Sequence, residues 1–237
     1  LDRLFEGLER WQELAEVLRR EVALTDLSPD DALAVRHRLA QVLEQRLDDV
    51  EGALATHREI LDVQADHPGA VADLESMFSR GVRREETFAL LEPIYRMGEQ
   101  WEKLADIQAR SLEFVADPAA RLQVMHGVAE LVEEKLGDGV GAFGWYSRAL
   151  KEHPLDERSL VEVERLAAVT DGWADLTNVY ADIVEAEGSS PEVKRVIGKK
   201  LARVHEEELQ DLQSAEGAYG FVLDVEPLDP EALESWL

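Results

Sequence analysis

The chain has 237 residues, and its 45% hydrophobic content is enough for a folded core, which argues against general disorder. Its 51 acidic residues against 25 Lys and Arg give a formal net charge of −26, which repels nucleic-acid backbones and anionic membranes and favours basic or neutral protein partners. No apolar run approaches the ~20 residues of a membrane span. Cysteine is absent, which excludes disulfides and thiol chemistry.

The first predicted helices follow one another from the N-terminus. One begins near Trp11 in "WQELAEV", where Leu14 lies three residues on and on the same helical face. The next begins at Pro29 after the capping residue Ser28, because a proline at the first helical position has no N–H to leave unsatisfied. A third begins after Asp49 in "QRLDDVEGALATHREIL", and the aspartate is placed to cap it.

The stretch that follows is longer than its later counterpart. The interval from Pro68 to Trp101 exceeds that from Pro154 to Trp173, and the surplus has the length of one more helix. The segment "REETFALLEPIYR" supplies this helix, and three of its apolar residues share one face: Phe88, Leu91 and Tyr95. An extra helix breaks the alternation of inner and outer layers, so we expect a bend or a three-helix unit near residues 68 to 115.

The same helix starts recur twice further along the chain. The proline starts at Pro29, Pro118 and Pro191 are separated by the same two intervals as the capping aspartates Asp49, Asp138 and Asp211. Helices beginning with tryptophan recur at Trp101 and Trp173. We therefore expect helices to start within a residue or two of these proline and aspartate positions, with about fourteen helices in all. Sustained period-two alternation is absent, so no strand is predicted.

These repeats also predict the domain organisation. We expect a single array over residues 1–237, with a partial unit at 1–28 and further approximate units at 29–100, 101–172 and 173–237. The sequence starts at Leu1 without a methionine and stops within a helical pattern, so we expect a fragment of a longer protein. A cytoplasmic location is favoured, and an exported or periplasmic one stays open because we expect the N-terminus to be truncated.

One stretch, "GVGAFG" at residues 139–144, has the G-x-G-x-x-G spacing of a dinucleotide-binding turn. That turn joins a strand to a helix, whereas an amphipathic helical pattern, "VAELVEEKLGD", precedes the glycines here. The three glycines do not recur together in either equivalent line, where Val50 and Leu212 stand in place of Gly139. We interpret the stretch as an interhelical turn followed by a helix that Asp138 caps.

These spacings resemble the tetratricopeptide repeat (TPR) family over nearly the whole chain. In that family a helix pair of about 34 residues carries a small residue, an aromatic residue four later, a small residue three later and a proline five later. Ala142, Tyr146, Ala149 and Pro154 fit this spacing, whereas His57 takes the aromatic position in the first unit. The resemblance implies an all-α, TPR-like superhelix, or solenoid, whose stacked helix pairs form a concave binding surface.

No constellation of residues indicates catalysis, a metal or a cofactor. His205 opens "HEEEL", but the zinc motif HExxH needs a histidine where Leu209 stands. Carboxylates are so frequent that any close pair is expected by chance. The tryptophans Trp11, Trp101 and Trp173 recur at equivalent places, which favours a packing role over ligand binding. We predict no catalytic, metal or cofactor site.

The resemblance also implies which residues would meet a partner. In the family the groove is lined by first-helix residues three before, one after and four after a small central residue, a place held here by Ala40, Ala129 and Ala202. This selects three sets of candidate partner-binding residues. Set 1 is His37, Gln41 and Glu44; set 2 is His126, Glu130 and Glu133; set 3 is Lys199, Arg203 and Glu206.

Set 3 lies in a helix that departs from the acidity of the chain, with five cations in ten residues: Lys194, Arg195, Lys199, Lys200 and Arg203. One hypothesis is that neighbouring acidic helices and Glu207, four residues after Arg203, neutralise this helix. The other is that it anchors an acidic segment of a partner.

For the whole chain we expect a non-enzymatic scaffold that binds a peptide or a partner surface on the concave face, with neither nucleic acid nor membrane insertion. A structural spacer, or self-association through the cut ends as a homo-oligomer, is the alternative. An enzyme is the third possibility, and it would require catalysis in regions beyond this sequence.

Overall fold

The computed structural model describes residues 2–23 and 27–234, which contain fourteen α-helices and no strand. The prediction of an all-α fold with about fourteen helices is therefore confirmed. The helices are α1 Asp2–Gly7, α2 Trp11–Val22, α3 Pro29–Leu47, α4 Val50–Val63, α5 Pro68–Ser79, α6 Arg84–Met97, α7 Trp101–Ser111, α8 Pro118–Leu136, α9 Gly139–Glu152, α10 Glu157–Thr170, α11 Trp173–Glu185, α12 Pro191–Arg203, α13 Leu212–Val225 and α14 Pro230–Glu234. A π-turn, Val204–Glu208, continues α12.

The helices that begin with proline start where the sequence predicts. Ser28, Asp117 and Ser190 each accept a hydrogen bond from the third amide of the helix they precede, at 3.1, 2.8 and 3.2 Å. This bond satisfies one of the free N–H groups at the start of a helix, and proline removes another. Local chemistry alone therefore fixes the starts of α3, α8 and α12.

The helices that follow them start with an aspartate cap. The carboxylates of Asp49, Asp138 and Asp211 accept from the amides three residues on, at 2.9, 2.8 and 3.1 Å. The stretch "GVGAFG" accordingly lies in the first turns of α9, with Asp138 as its cap. Its interpretation as a helix start rather than a strand-to-helix turn is confirmed.

The tight turns before these aspartates need a left-handed residue. Asp48, Gly137 and Gln210 occupy equivalent places with φ of 54°, 68° and 55°. Glycine adopts this conformation without strain, whereas other residues do so at a cost. The glycine of the middle copy thus serves the turn itself.

The chain divides into two compact units, residues 1–107 and 108–237. In the first unit α3 packs against α2 and α4, around buried residues that include Leu14, Leu18, Leu43 and Ala53. In the second unit α9 packs against α8 and α10, and α12 packs against α11 and α13. These helices thus bury their apolar faces against their neighbours along the chain.

Helices two apart along the chain also pack together. In the first unit α3 contacts α5 and α4 contacts α6; in the second, α9 contacts α11. First helices of successive pairs therefore lie beside first helices, and second beside second, as in a TPR-like helical repeat. The predicted TPR-like fold is confirmed at this level.

The surplus helix is present as α6. Three helices, α5, α6 and α7, occupy residues 68–111, and α6 turns Leu91 and Tyr95 into the core of the first unit. The bend or three-helix unit expected near residues 68 to 115 stays a prediction. No helix within the described ranges is long and apolar enough to span a bilayer.

Candidate functional site

Set 1 faces the following first helix, α5. The Nε2 of His37 lies 2.9 Å from Oδ2 of Asp73, and the Nε2 of Gln41 donates to the same oxygen at 3.2 Å. Glu44 forms an ion pair with Arg80 at the other end of α5. All three members of the set therefore bind side chains of one neighbouring helix.

A close approach of the backbone seats the His37 ring. A Cβ added at Gly69 would lie 2.4 Å from Cε1 of His37, so only glycine leaves room for the ring there. The His37 ring centroid is 5.4 Å from that of His67 and 6.4 Å from that of His57. Three imidazoles and Asp73 thus gather where α3, α4 and α5 meet.

Set 2 repeats the arrangement in the second unit, against α10. His126 is buried, with Nε2 2.8 Å from Oγ of Ser159 and 3.2 Å from Oδ2 of Asp156, the residue that caps α10. Burial lowers the pKa of His126, and the charge of Asp156 opposes that shift. The neutral ring is therefore held by hydrogen bonds.

The other two members of set 2 form ion pairs with α10. Glu130 pairs with Arg158, and both Glu133 oxygens accept from Arg165 Nη2, at 2.8 and 2.6 Å. Hydrogen bonds to Glu133 and Glu162 raise the pKa of Arg165 above its ordinary value. These side chains are partly exposed, so their ends meet solvent.

Set 3 faces α14 and its capping residue. Lys199 Nζ lies 2.5 Å from Oδ2 of Asp229 and 3.2 Å from Oε2 of Glu231. Arg203 donates twice to Glu231, at 2.9 and 2.6 Å. Burial opposes the charge on Lys199, but the hydrogen bonds to the two carboxylates prevail and raise its pKa. Glu206 accepts from the Tyr219 hydroxyl at 3.4 Å.

Equivalent pairs in sets 2 and 3 have opposite polarity. The interval from Glu130 to Arg203 equals that from Arg158 to Glu231, and it is the interval that separates the second copy of the repeat from the third. One place thus holds a carboxylate on the first helix with a guanidinium on the next, and its counterpart holds the reverse. Both junctions therefore have an ion pair, but the acidic and the basic residue have exchanged helices.

Four of the five cations of α12 have acidic partners, namely Arg195, Lys199, Lys200 and Arg203. Arg195 lies 3.8 Å from Glu226, and Lys200 Nζ lies 2.6 Å from Oε1 of Glu164. These contacts, with those of set 3, are what the hypothesis of a neutralised helix predicts. Arg203 forms its ion pair with Glu231 of α14, and the hydrogen bond to Glu231 is the main cause that raises the pKa of Arg203, with a smaller contribution from the charge of Glu207.

The partners that the following helices supply were not predicted from the sequence. They are Asp73 on α5, Arg80 directly after α5, Arg158 and Arg165 on α10, and Glu231 on α14. The signal that could have found two of them is the spacing of the repeat, which aligns Arg158 with Glu231 and sets opposite charges there. Within the described parts of the chain, no group of three or more His, Asp or Glu is arranged to hold a metal ion.

Comparisons with known proteins give fold-level likenesses alone. No family model matches the sequence, and no curated protein matches it. The solved structures it resembles include the C-terminal part of a TPR repeat-containing protein from Cytophaga hutchinsonii, at 13% identity and a TM-score of 0.34, covering 100% of this chain and 98% of that one.

Two further structures are similar at the same level. YrrB, described as a TPR protein with an unusual peptide-binding site, has 13% identity and a TM-score of 0.31, covering 93% of this chain and 98% of its own. PilF of Pseudomonas aeruginosa has 16% identity and a TM-score of 0.30, covering 86% and 96%. At such TM-scores the likeness adds nothing to the description of the fold, which follows from the helix pairs of the chain itself.

Proposed function

We propose that this chain is a non-enzymatic protein-interaction scaffold, and that a peptide or partner surface binds the faces of its first helices at sets 1, 2 and 3. One observation carries the proposal. The same three helical places recur, each time at the junction between one first helix and the next, and each time they hold charged or hydrogen-bonding side chains.

Because these junctions are exposed, a partner that replaces their ion pairs with its own charges costs the fold little free energy. The side chains of Glu130 and Arg158 are 48% and 44% exposed, and that of Arg203 is 56% exposed. An exposed ion pair contributes between zero and about 1 kcal/mol, so a partner that offers its own charges competes at little cost to the fold. Recognition would combine a few anchors of this kind with steering by the acidic field of the chain.

The test separates the surface charge from the ion pair. The double variant Arg203→Glu with Glu231→Arg exchanges the two charges and gives this junction the polarity that Glu130 and Arg158 already have. Peptides selected by display on the wild-type chain would be titrated against both proteins, with circular dichroism to check the fold. We expect an affinity loss of about tenfold or more in the variant, with its fold intact.

A second candidate, a structural spacer, is favoured by a specific observation. All nine residues of the three sets contact other side chains of the same chain, so each already has a packing or pairing role. A spacer predicts that display enriches no peptide, or that the exchanged pair binds as well as the wild type. Either result would refute the scaffold proposal.

Self-association is a form of this second candidate that light scattering checks. The terminal positions that it invokes, residue 1 and residues 235–237, lie outside the described residues. A mass that rises with protein concentration would support it, and the monomer mass at all concentrations would exclude it.

A further inference from the structure

A tryptophan begins each of the three helices that precede α3, α8 and α12, namely α2, α7 and α11. In the first unit Trp11 begins α2, and the guanidinium of Arg46, near the end of α3, lies over its ring with Cζ 4.7 Å from the centroid. A guanidinium over an indole face is held by the negative face of the ring and by stacking. This junction therefore contains its own cation.

The third copy has the tryptophan without the cation. In the register of the repeated prolines, the place of Arg46 is taken by Lys135 in the second copy and by Glu208 in the third. Trp173 begins α11 and is half-buried, and within the described parts of the chain no cation lies over its ring. A carboxylate thus stands where the first copy has a guanidinium.

A cavity of about 200 Å³ lies at this place in the second unit. It is lined by Trp173, Val204, the cations Lys200 and Arg203, and the carboxylates Glu164, Glu207 and Glu208. The equivalent helices α3 and α8 remain α-helical to their ends, whereas α12 gives way to the π-turn Val204–Glu208. The Leu209 amide accordingly bonds the Val204 carbonyl five residues back, at 3.1 Å. Such turns widen a helix locally and are frequent at functional sites.

The charges that remain free in the cavity are negative. Lys200 is paired with Glu164 at 2.6 Å, and Arg203 with Glu231 at 2.6 Å. Glu207 and Glu208 are exposed and form no close ion pair in the part of the chain that the structure describes, and the charge of Glu207 acts on Arg203 only at longer range, where it raises the pKa of Arg203. An incoming anion would meet two unpaired carboxylates, whereas an incoming cation would neutralise them.

We propose that this cavity binds the guanidinium of an arginine side chain from a partner, with the planar group on the face of Trp173 and its N–H donors directed to Glu207 and Glu208. The partner arginine takes the place that Arg46 holds over Trp11 within the first unit. Five donors in a planar fork suit two carboxylates beside an aromatic ring better than the point charge of a lysine does. The site goes beyond the three sets, because Trp173, Glu207 and Glu208 belong to none of them.

A short peptide tests the ligand chemistry without the natural partner. The capped peptide acetyl-Gly-Arg-Gly-amide is titrated into the chain while the indole N–H signal of Trp173 is followed by NMR, with Trp173→Phe to assign the signal. The same peptide with citrulline in place of arginine has nearly the same shape but no charge. We expect saturable shifts with the arginine peptide and about tenfold weaker binding of the citrulline peptide. Equal binding of the two peptides would overturn the proposal.

A second variant fills the cavity from within. Glu208→Arg recreates the sequence of the first copy, so the new side chain should cover Trp173 and reduce the affinity for the arginine peptide about tenfold or more. Glu216→Arg is the matched control, since Glu216 is an exposed residue of α13 outside the cavity and gives the same change of charge. We expect the control to bind as the wild type does.

Unchanged affinity in Glu208→Arg, or an equal loss in Glu216→Arg, would contradict the site. This titration follows the Trp173 signal with a defined peptide, so a negative result refutes the arginine site alone. A negative display experiment on sets 1 to 3 refutes the scaffold proposal.

Discussion

The burial of His57 makes an acid-sensitive element of the first unit. His57 is 0% exposed in α4, and neither ring nitrogen has a hydrogen-bond partner within the described ranges. Burial lowers its pKa from 6.5 to about 4; the charge of Asp73 on α5 opposes the shift, whereas His37 and His67 add to it. The equivalent places hold Tyr146 and Tyr219, so a neutral aromatic side chain suits this position.

The sign and size of the effect follow from proton linkage. Between pH 6.5 and pH 4 the unfolded chain takes up a proton at His57 that the folded chain does not, so acid favours the unfolded state. With the folded pKa at about 4 and the unfolded pKa at 6.5, the free energy of unfolding should fall by about 2 kcal/mol from pH 7.5 to pH 5. The full loss, reached below pH 4, is about 3 kcal/mol.

The assay compares the pH dependence of two proteins. Urea unfolding of the wild type and of His57→Phe is followed by circular dichroism at pH 7.5 and pH 5. The packing change affects both pH values alike and cancels, so the difference isolates the proton. The variant should keep about 2 kcal/mol that the wild type loses. Tyr146→Phe, at the equivalent place of the second unit, is the control and should leave the pH dependence unchanged.

One result would refute this account of His57. If the wild type and His57→Phe lose the same free energy within about 0.5 kcal/mol, the ring does not resist protonation. Water would then reach its nitrogens, or a protonated His57 would be held by the charge of Asp73.

Three further substitutions test the local chemistry of the helices by thermal unfolding. Gly144→Ala should stabilise the chain by about 0.5–1 kcal/mol, because a Cβ there has no atom within 4 Å and alanine favours an exposed helix; destabilisation would imply a role for that glycine beyond the helix. Asp48→Gly should stabilise by up to about 1 kcal/mol, because its φ of 54° suits glycine, and a lower melting temperature would contradict this. Ser190→Ala should destabilise the chain by about 0.5–2 kcal/mol, because the hydrogen bond from the Val193 amide to the Ser190 hydroxyl is lost. An unchanged melting temperature would contradict this.

The helix starts were predictable because their causes are local. A capping side chain always bonds the amide three residues further along the chain. Ser28, Asp117 and Ser190 therefore each predict a helix start without knowledge of any tertiary contact. The same holds for the surplus helix, which the length of the stretch after Pro68 required. Repetition strengthened each prediction, because the interval from the proline to the capping aspartate is the same in all three copies, whereas the glycine spacing of "GVGAFG" occurs in one copy alone.

The contacts between helices were less predictable because their separations along the chain differ. Of the three pairs Glu44 with Arg80, Glu133 with Arg165 and Arg203 with Glu231, the first is the most widely separated in sequence and the last the least. No fixed spacing predicts all three, because the pairs join different places on the two helices, although the helix starts are equally spaced in each copy. The π-turn after α12 gave no sequence signal either, because a widened turn depends on packing rather than on a residue preference.

The junction between successive first helices contains two kinds of contact, one that stabilises the fold and one that a partner would recognise. Glu130 with Arg158 and Arg203 with Glu231 occupy one helical place with opposite signs, so packing requires complementary charges there but not a given sign. By contrast, His126 and Lys199 both contact the aspartate that caps the next first helix, Asp156 or Asp229, so the aspartate is the same in these two copies, whereas the first copy has His67 at that place. Under the scaffold proposal, the exposed ion pair determines which partner binds, because exchanging its two charges costs little folding free energy. The contact with the capping aspartate contributes to stability instead.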